Sequence, residues 1–315
     1  MTQALIIATS TALKSENSGA KIRLETLTKM LKNLDFSITI VSASNADALL
    51  HKKWDLVLLS SYAAANAMKK IDIADSFFWY DACDAWFLSR ISMLKVGSLK
   101  SLLALIRDFY YLSQLPKPNV ITYISNRDRL NKINFFKKNT PTFVFPNDLK
   151  PILLKDSNSK RYIFVGDGKY FPNKKAVALL GRIAKKMLGK VSIEIYGANY
   201  HCRSPFLTFH GYCEDDNFYC KKDIVVAPIW SGAGIKNKVA LPLLSGLTVL
   251  TTPEGRIGLK NSDNLHVAQN KSDFEKFFSE FSFLEGREQI SSNDIFQDDE
   301  ASELLSFIKE SLKIR

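Results

Sequence analysis

The chain has 315 residues, more than one compact unit usually needs, so two domains are expected. With 46% apolar and 24% charged residues, 14 Gly, 10 Pro and no low-complexity tract, a largely disordered or fibrous chain is excluded. The formal net charge is +11, of which +8 falls in residues 1–150 and +3 in the rest; such an excess attracts nucleic acid, anionic lipid headgroups or phosphorylated ligands, and equally serves as a solvated surface.

In chain order, apolar β-branched runs at Ala4–Thr9, Ser37–Ser42, Asp55–Ser60, Phe77–Tyr80, Val120–Ile124 and Thr142–Phe145 predict strands. Between the first two, Ile22, Leu24, Leu27, Met30, Leu31 and Leu34 fall mostly at 3–4 spacing and predict a helix over Ile22–Leu34. A second helix, Leu99–Leu115, carries an apolar face wide enough to be buried on one side. Lys150–Lys160, with Pro, Ser, Asn and Asp, reads as an interdomain linker. The alternation then restarts with strand Tyr162–Val165, helix Lys174–Leu188, strand Val191–Tyr196, a short run Phe206–Phe209, strand Ile224–Pro228, helix Ile235–Ser245 and strand Thr248–Thr251. Leu304, Leu305, Ile308 and Leu312 mark a terminal helix whose apolar face must pack on something, the first domain being one candidate. The expected fold is α/β, two doubly wound parallel-sheet domains at 1–150 and 151–315, with ligands at the carboxyl ends of the strands.

No apolar run approaches the ~20 residues of a membrane-spanning helix. The start Met-Thr-Gln runs into an apolar strand without a basic n-region, and Cys83, Cys202, Cys213 and Cys220 show no paired C-x-x-C spacing. A cytoplasmic protein with reduced thiols is expected. His201, Cys202, His210, Cys213 and Cys220 likewise lack the paired spacing of a structural zinc site, and no metal is expected.

The most informative stretch is Val225 to Val239, where a strand ends, Ser231-Gly232-Ala233-Gly234 follows, and a helix opens near Ile235. Backbone N–H groups and the positive end of the helix dipole would then converge on one spot suited to a phosphate, or the turn serves packing alone. Lys236 adds a mobile charge there. Gly166-Asp167-Gly168 also follows a strand, but no third glycine completes a dinucleotide fingerprint; Lys169 beside it is a second candidate cation for phosphates or a surface lysine. Asp81 and Asp84 follow the strand Phe77–Tyr80, where a carboxylate could activate an acceptor hydroxyl; Asp84 could equally cap a helix starting near Ala85. Of the aromatics at 77–87, Trp86 and Phe87 are candidates for stacking on a sugar or resting among lipid headgroups.

Several of these segments together resemble the family-4-type glycosyltransferases of GT-B fold. Tyr162-Ile163-Phe164-Val165-Gly166 with Phe171-Pro172-Asn173-Lys174 is similar to that family's opening strand, turn and helix start. His210-Gly211-Tyr212, followed by Glu214-Asp215-Asp216 and Asp223 to Pro228, resembles the turn and strand that come next. Gly232-Ala233-Gly234-Ile235-Lys236-Asn237-Lys238 resembles the family's phosphate loop, and Gly246 through Thr252-Pro253-Glu254-Gly255 to Gly258-Leu259 resembles the block after it. In the first half, Asn17-Ser18-Gly19-Ala20-Lys21-Ile22-Arg23, Ser125-Asn126-Arg127-Asp128 and Pro146-Asn147-Asp148 resemble the family more loosely.

The resemblance implies two Rossmann-like domains facing a central cleft, with a nucleotide-sugar as substrate and no cofactor. It places Gly232, Ala233, Gly234, Ile235, Lys236 and Lys169 at the donor's phosphates. Gly166, Gly211, Tyr212, Ser231 and Glu254 would line the nucleotide and sugar, and Ser18, Gly19 and Arg23 would come from the first domain. Many members carry two glutamates eight positions apart, where this chain has Ala233 and Leu241, so the ribose loses a charge-assisted partner typically worth ~1.5–3 kcal/mol. Pro242 in the same helix removes a backbone hydrogen bond.

The function expected is transfer of a sugar to a hydroxyl of a lipid-linked or surface polysaccharide acceptor, metal-independent, with peripheral contact of the basic N-terminal domain with an anionic membrane. A CMP-activated acid sugar as donor, or a non-catalytic binding or scaffold relative, are the alternatives. Nucleic-acid binding lacks a recognisable module and is not expected.

Overall fold

The first unit is built on a sheet of apolar strands: β1 (Gln3–Ala8), β2 (Ser37–Ser42), β3 (Leu56–Ser60), β4 (Phe77–Cys83), β5 (Val120–Tyr123) and β6 (Thr142–Val144). All neighbours pair parallel, in the order β2-β1-β3-β4-β5-β6. The computed structural model describes the chain apart from residues 1, 15–17, 50–51, 62–63, 66–70, 86, 88–89, 92–93, 95–99, 131–138, 158, 188–189, 202–203, 214–216, 281–294 and 315.

Strands of a parallel sheet are buried on both faces and therefore read as continuous apolar runs. Here the period of two divides them between two cores: Leu5, Ile7, Val57, Leu59, Phe78 and Tyr80 pack on one side, and Ala4, Ile6, Leu56, Leu58, Phe77 and Trp79 on the other. α1 (Ser10–Lys14), α2 (Gly19–Lys32), α3 (Lys100–Ser113) and α4 (Asn126–Leu130) join the strands. Leu24, Leu27, Met30 and Leu31 of α2 fill the second core.

On α3 the expected burial of the apolar face needs correction. Leu105, Phe109 and Leu112 pack inward, whereas Leu102, Leu103, Ile106 and Tyr110 are 52%, 74%, 62% and 55% exposed. Phe87, expected as an exposed aromatic, instead packs edge-on against Phe109 with ring centroids 5.7 Å apart. Trp86 lies outside the described residues.

The second unit carries β7 (Tyr162–Val165), α5 (Phe171–Lys186), β8 (Ile193–Tyr196), β9 (Thr208–Gly211), β10 (Ile224–Ala227), α6 (Asn237–Leu244), β11 (Thr248–Thr251), β12 (Leu265–Val267) and α7 (Lys271–Glu280). Its sheet, also parallel, runs β12-β11-β10-β7-β8-β9. Counted within the unit, this is the Rossmann order 3-2-1-4-5-6, with its switch point between β7 and β10. β12 and α7 are additions to the expected elements: a three-residue strand is too short to show a period, and α7 follows it directly.

The chain divides into two compact units, one made of Met1–Leu94, Leu99–Asp148 and Asp298–Arg315, the other built on Leu149–Gln297. The terminal helix α8 (Ala301–Leu312) belongs to the first unit, where Leu304 and Ile308 are fully buried in the core beside α2. Glu300 before it accepts two hydrogen bonds from Arg129, at 2.7 and 2.8 Å, and one from the Val144 N–H at 2.9 Å. It thereby covers the edge of β6, which a parallel sheet would otherwise leave open.

Candidate functional site

At a switch point the loops after two neighbouring strands diverge to opposite faces and leave a crevice. Here the two loops are Gly166–Tyr170 after β7 and 228–236 after β10. Gly232 has φ +133° and Gly234 φ +71°, backbone that only glycine adopts without strain. Ser231 is buried, and Thr252 pins the loop by donating to the Ile229 carbonyl while accepting from the Gly255 N–H at 3.1 Å. Gly255 is required in its turn, because a Cβ there would lie 1.9 Å from Thr251 Oγ1. Pro253, Glu254 and Gly255 thus form a fixed turn after β11, which pairs with β10.

Helix α6 opens at Asn237 with Lys236 as N-cap, and Lys236 offers no side-chain acceptor to the first-turn N–H groups. The positive end of the helix dipole is directed at the crevice. Lys236 Nζ folds back on its own loop, donating to the Ala233 and Gly234 carbonyls at 2.8 and 2.7 Å. A second ammonium arrives one position into the helix: Lys238 Nζ donates to Asn173 Oδ1 at 2.6 Å and lies 5.1 Å over the Phe164 ring. Desolvation by burial, reinforced by the nearby Lys236 charge, lowers the Lys238 pKa to about 7.

Asn173, buried in the first turn of α5, also donates to the Asp167 carbonyl at 2.8 Å. A Cβ on Gly166 would come within 2.5 Å of Asn173 Nδ2 and 2.7 Å of Lys238 Nζ. On Gly232, it would lie 3.3 Å from the Tyr170 hydroxyl. Gly166, Gly232 and Lys236 are therefore brought together, with Asn173, Tyr170 and Lys238 completing the group. Lys169 is exposed beside them, its N–H donating to Asp167 Oδ1 at 2.7 Å. Gly211 ends β9, the edge strand two strands away from β7, and the exposed Tyr212 follows it. The Glu214-Asp215-Asp216 segment lies outside the described residues.

In the first unit the candidate residues form a different kind of site. Arg23 and Asp81, 2% and 0% exposed, make a bidentate ion pair, with Nε and Nη2 donating to the two carboxylate oxygens at 2.9 and 2.6 Å. Thr122 donates to Asp81 at 2.7 Å and accepts from the Trp79 indole at 2.9 Å. Arg23 also donates to the Phe145 carbonyl at 2.5 Å. Burial works against the Arg23 charge, yet the carboxylate outweighs it and holds the guanidinium above its usual pKa.

The expected roles of these two change accordingly. Asp81 spends its oxygens on buried donors and has no face for an acceptor hydroxyl, and Arg23 ties α2 to β4 instead of lining an open loop. Ser18 caps α2, accepting from the Lys21 N–H at 3.1 Å, and Gly19 is the exposed first residue of that helix; Asn17 lies outside the described residues. Asp84 stays half-buried at the carboxyl end of β4. The Ala85 N–H that it might have capped donates instead to Asp128 Oδ1 at 2.8 Å, and at the start of α4 Ser125 Oγ accepts from the Asp128 N–H at 3.3 Å while donating to the Asp128 carboxylate. His210, set aside as a metal ligand, stacks on Tyr196 with centroids 4.4 Å apart and pairs with Glu194 at 3.1 Å.

No family model and no curated protein matches the sequence. Solved structures do. Sucrose-phosphate synthase from Thermosynechococcus elongatus superposes with a TM-score of 0.68 at 9% identity, over 89% of this chain and 90% of that one. MnaA of S. aureus, solved with UDP, gives 0.59 at 11% identity, over 100% and 98%. The pneumococcal O-GlcNAc transferase GtfA, solved with UDP and GlcNAc, gives 0.55 at 11% identity, over 86% of this chain and 59% of that one. The chain has the GT-B fold. At these identities the likeness is one of fold, and the site must be argued from the residues of this chain.

Within this GT-B chain, Lys238, Asn173 and Tyr170 are the site residues that the reading of single motifs passed over. Each stands in or beside a quoted segment, but their convergence depends on β7 and β10 being neighbours. What the arrangement offers chemically is two ammonium groups and a helix N-terminus beside glycines that admit a ligand against the backbone, a set suited to a diphosphate.

Proposed function

We propose that this protein is a glycosyltransferase that moves a sugar from a nucleotide-sugar to a hydroxyl of a lipid-linked or surface polysaccharide acceptor. The observation that carries the reading is the switch-point crevice, where Gly232 and Gly234 bend the loop and Lys236 and Lys238 flank it. As the bond to the sugar breaks, negative charge grows on the leaving diphosphate. Preorganised N–H groups and ammoniums stabilise it there without solvent reorganisation, the role a divalent ion would otherwise serve. Lys236 is held by loop carbonyls that a phosphate would replace. Gly211, Tyr212, Ser231 and Glu254 are proposed for the nucleotide and sugar, and Asp84 for the acceptor side.

Thermal melting against UDP, GDP, ADP, dTDP and CMP tests this, because a ligand of the native state raises the midpoint by mass action. One nucleotide is expected to raise it, and Lys236→Ala to remove the rise and the transfer activity with the fold intact. A flat panel at millimolar concentration favours the second reading, a GT-B binding or scaffold protein, for which Ala233 and half-buried Leu241 at the family's carboxylate positions speak.

A lipid-linked acceptor calls for contact with a membrane. The exposed row Leu102, Leu103, Ile106 and Tyr110 on α3, in the half of the chain carrying +8, suits an anionic bilayer surface. The chain is expected to sediment with vesicles containing anionic lipid and not with neutral ones. Leu103→Ser combined with Ile106→Ser should release it while leaving its melting point within about 0.5 kcal/mol of stability, as for other exposed positions. Equal sedimentation of the variant would refute the assignment of α3.

A further inference from the structure

The crossover from β8 to β9 is made by Gly197–Leu207, with no helix among its described residues. Parallel strands are usually joined through a helix that covers the sheet and packs on its neighbours. Without one, the outer flank of α5 faces the 199–207 segment across a cavity of about 720 Å³, within the size range of small-molecule sites.

The α5 side of the cavity carries Lys174, Ala178, Gly181, Arg182 and Lys185, which share one helix face at 3–4 spacing. The two small residues form a floor between three cations. Gly181 lets the opposite wall come close, since a Cβ there would sit 3.3 Å from Ser204 Cβ. That wall is Pro205, Phe206, Leu207 and the ring of Tyr200, with Val177 closing the base. Among the described residues, no carboxylate lines the cavity and none of the three cations is in an ion pair.

We infer that this cavity binds a single-chain alkyl phosphate, its chain along the apolar walls and its phosphate against Arg182 and Lys185. The guanidinium fork matches phosphate oxygens bidentately, and the ammonium adds a point charge. A nucleotide fits less well. Among the described residues, the polar side chains on the lining besides the cations are Asn199, Tyr200, His201 and Ser204, and the Tyr200 hydroxyl already donates to the Gly166 carbonyl; a base held against Pro205, Phe206 and Leu207 would leave most of its own donors and acceptors unpaired. The site is separate from the donor crevice, which it touches through one wall, where the Tyr200 hydroxyl donates to the Gly166 carbonyl at 2.8 Å.

Titration calorimetry of the full chain with octyl phosphate, inorganic phosphate and octanol, all below aggregation, tests the inference. Octyl phosphate is expected to bind at least tenfold more tightly than either fragment. Ala178→Trp, at an exposed helix position, fills the floor, and Arg182→Glu with Lys185→Glu reverses the charge. Each should weaken binding at least tenfold while far-UV circular dichroism and any nucleotide-induced rise in melting stay unchanged, so this site and the donor reading fail independently. No saturable binding at millimolar octyl phosphate, or binding indifferent to both variants, overturns the assignment. Binding to phosphatidic acid vesicles that is lost in Ala178→Trp would overturn the single-chain form of it in favour of a bilayer headgroup.

Discussion

Asp81→Leu is expected to cost about 3–5 kcal/mol of stability, the penalty for leaving one member of a buried ion pair uncompensated. Arg23 would then sit 2% exposed with its Nε and Nη2 donors unmet, and Thr122 would lose its acceptor. Combining Arg23→Met with Asp81→Leu removes both charges, and an apolar pair of similar volume should recover most of the loss. Chemical denaturation of the single and double variants reads this directly. A single variant as stable as the wild type would show that the pair does not hold α2 to β4. The double variant also separates structure from chemistry: if it folds and still transfers sugar, Asp81 has no part in the reaction, and if it folds and does not, the carboxylate acts on the acceptor after all.

The second large effect belongs to Lys238. Its folded pKa of about 7 lies well below the ordinary lysine value, through burial first and the Lys236 charge second. Between about pH 7 and pH 10 the unfolded chain therefore holds a proton that the folded chain lacks, so stability rises with pH across that window. The gain from this one group is about 2–4 kcal/mol, and Lys238→Met should flatten the rise. Melting curves of both proteins from pH 6.5 to 10 measure the difference; parallel curves would refute the shifted lysine. A bound diphosphate has the opposite effect on the same group. The anion draws the pKa back up, so nucleotide binding at pH 7 should take up about half a proton, visible as a dependence of calorimetric enthalpy on the buffer. Lys238→Met should abolish that uptake along with most of the affinity.

Much of the second unit could be read from local pattern. Tyr162–Val165 and Thr248–Thr251 are strands over the residues expected, because short β-branched and aromatic runs between turn signals leave few other options. Gly232 and Gly234 announced a bent loop before a helix, and both have positive φ. In each case the deciding residues are neighbours in the chain.

Other features depend on partners far apart. Asp81 looked like a carboxylate at a strand end, open to a ligand. Arg23, 58 residues earlier, fills that place from α2. The exposed face of α3 shows the same limit from the opposite side. Apolar period predicts that a face exists but not how much of it the sheet covers, and the sheet covers Leu105, Phe109 and Leu112 while passing by Leu103 and Ile106.

By itself, then, the sequence determined the alternation of strands and helices and the glycine loop ahead of Lys236, both encoded by residues within a few positions of one another. Only the tertiary structure decided that Lys238 meets Asn173 at the switch point, that Arg23 neutralises Asp81, that the crossover from β8 to β9, with no helix among its described residues, leaves a cavity beside α5, and that α8 completes the first unit. The pairings Arg23–Asp81, Asn173–Lys238 and Val144–Glu300 join residues 58 to more than 150 positions apart. They follow from strand order and crossover path, properties that no local period carries.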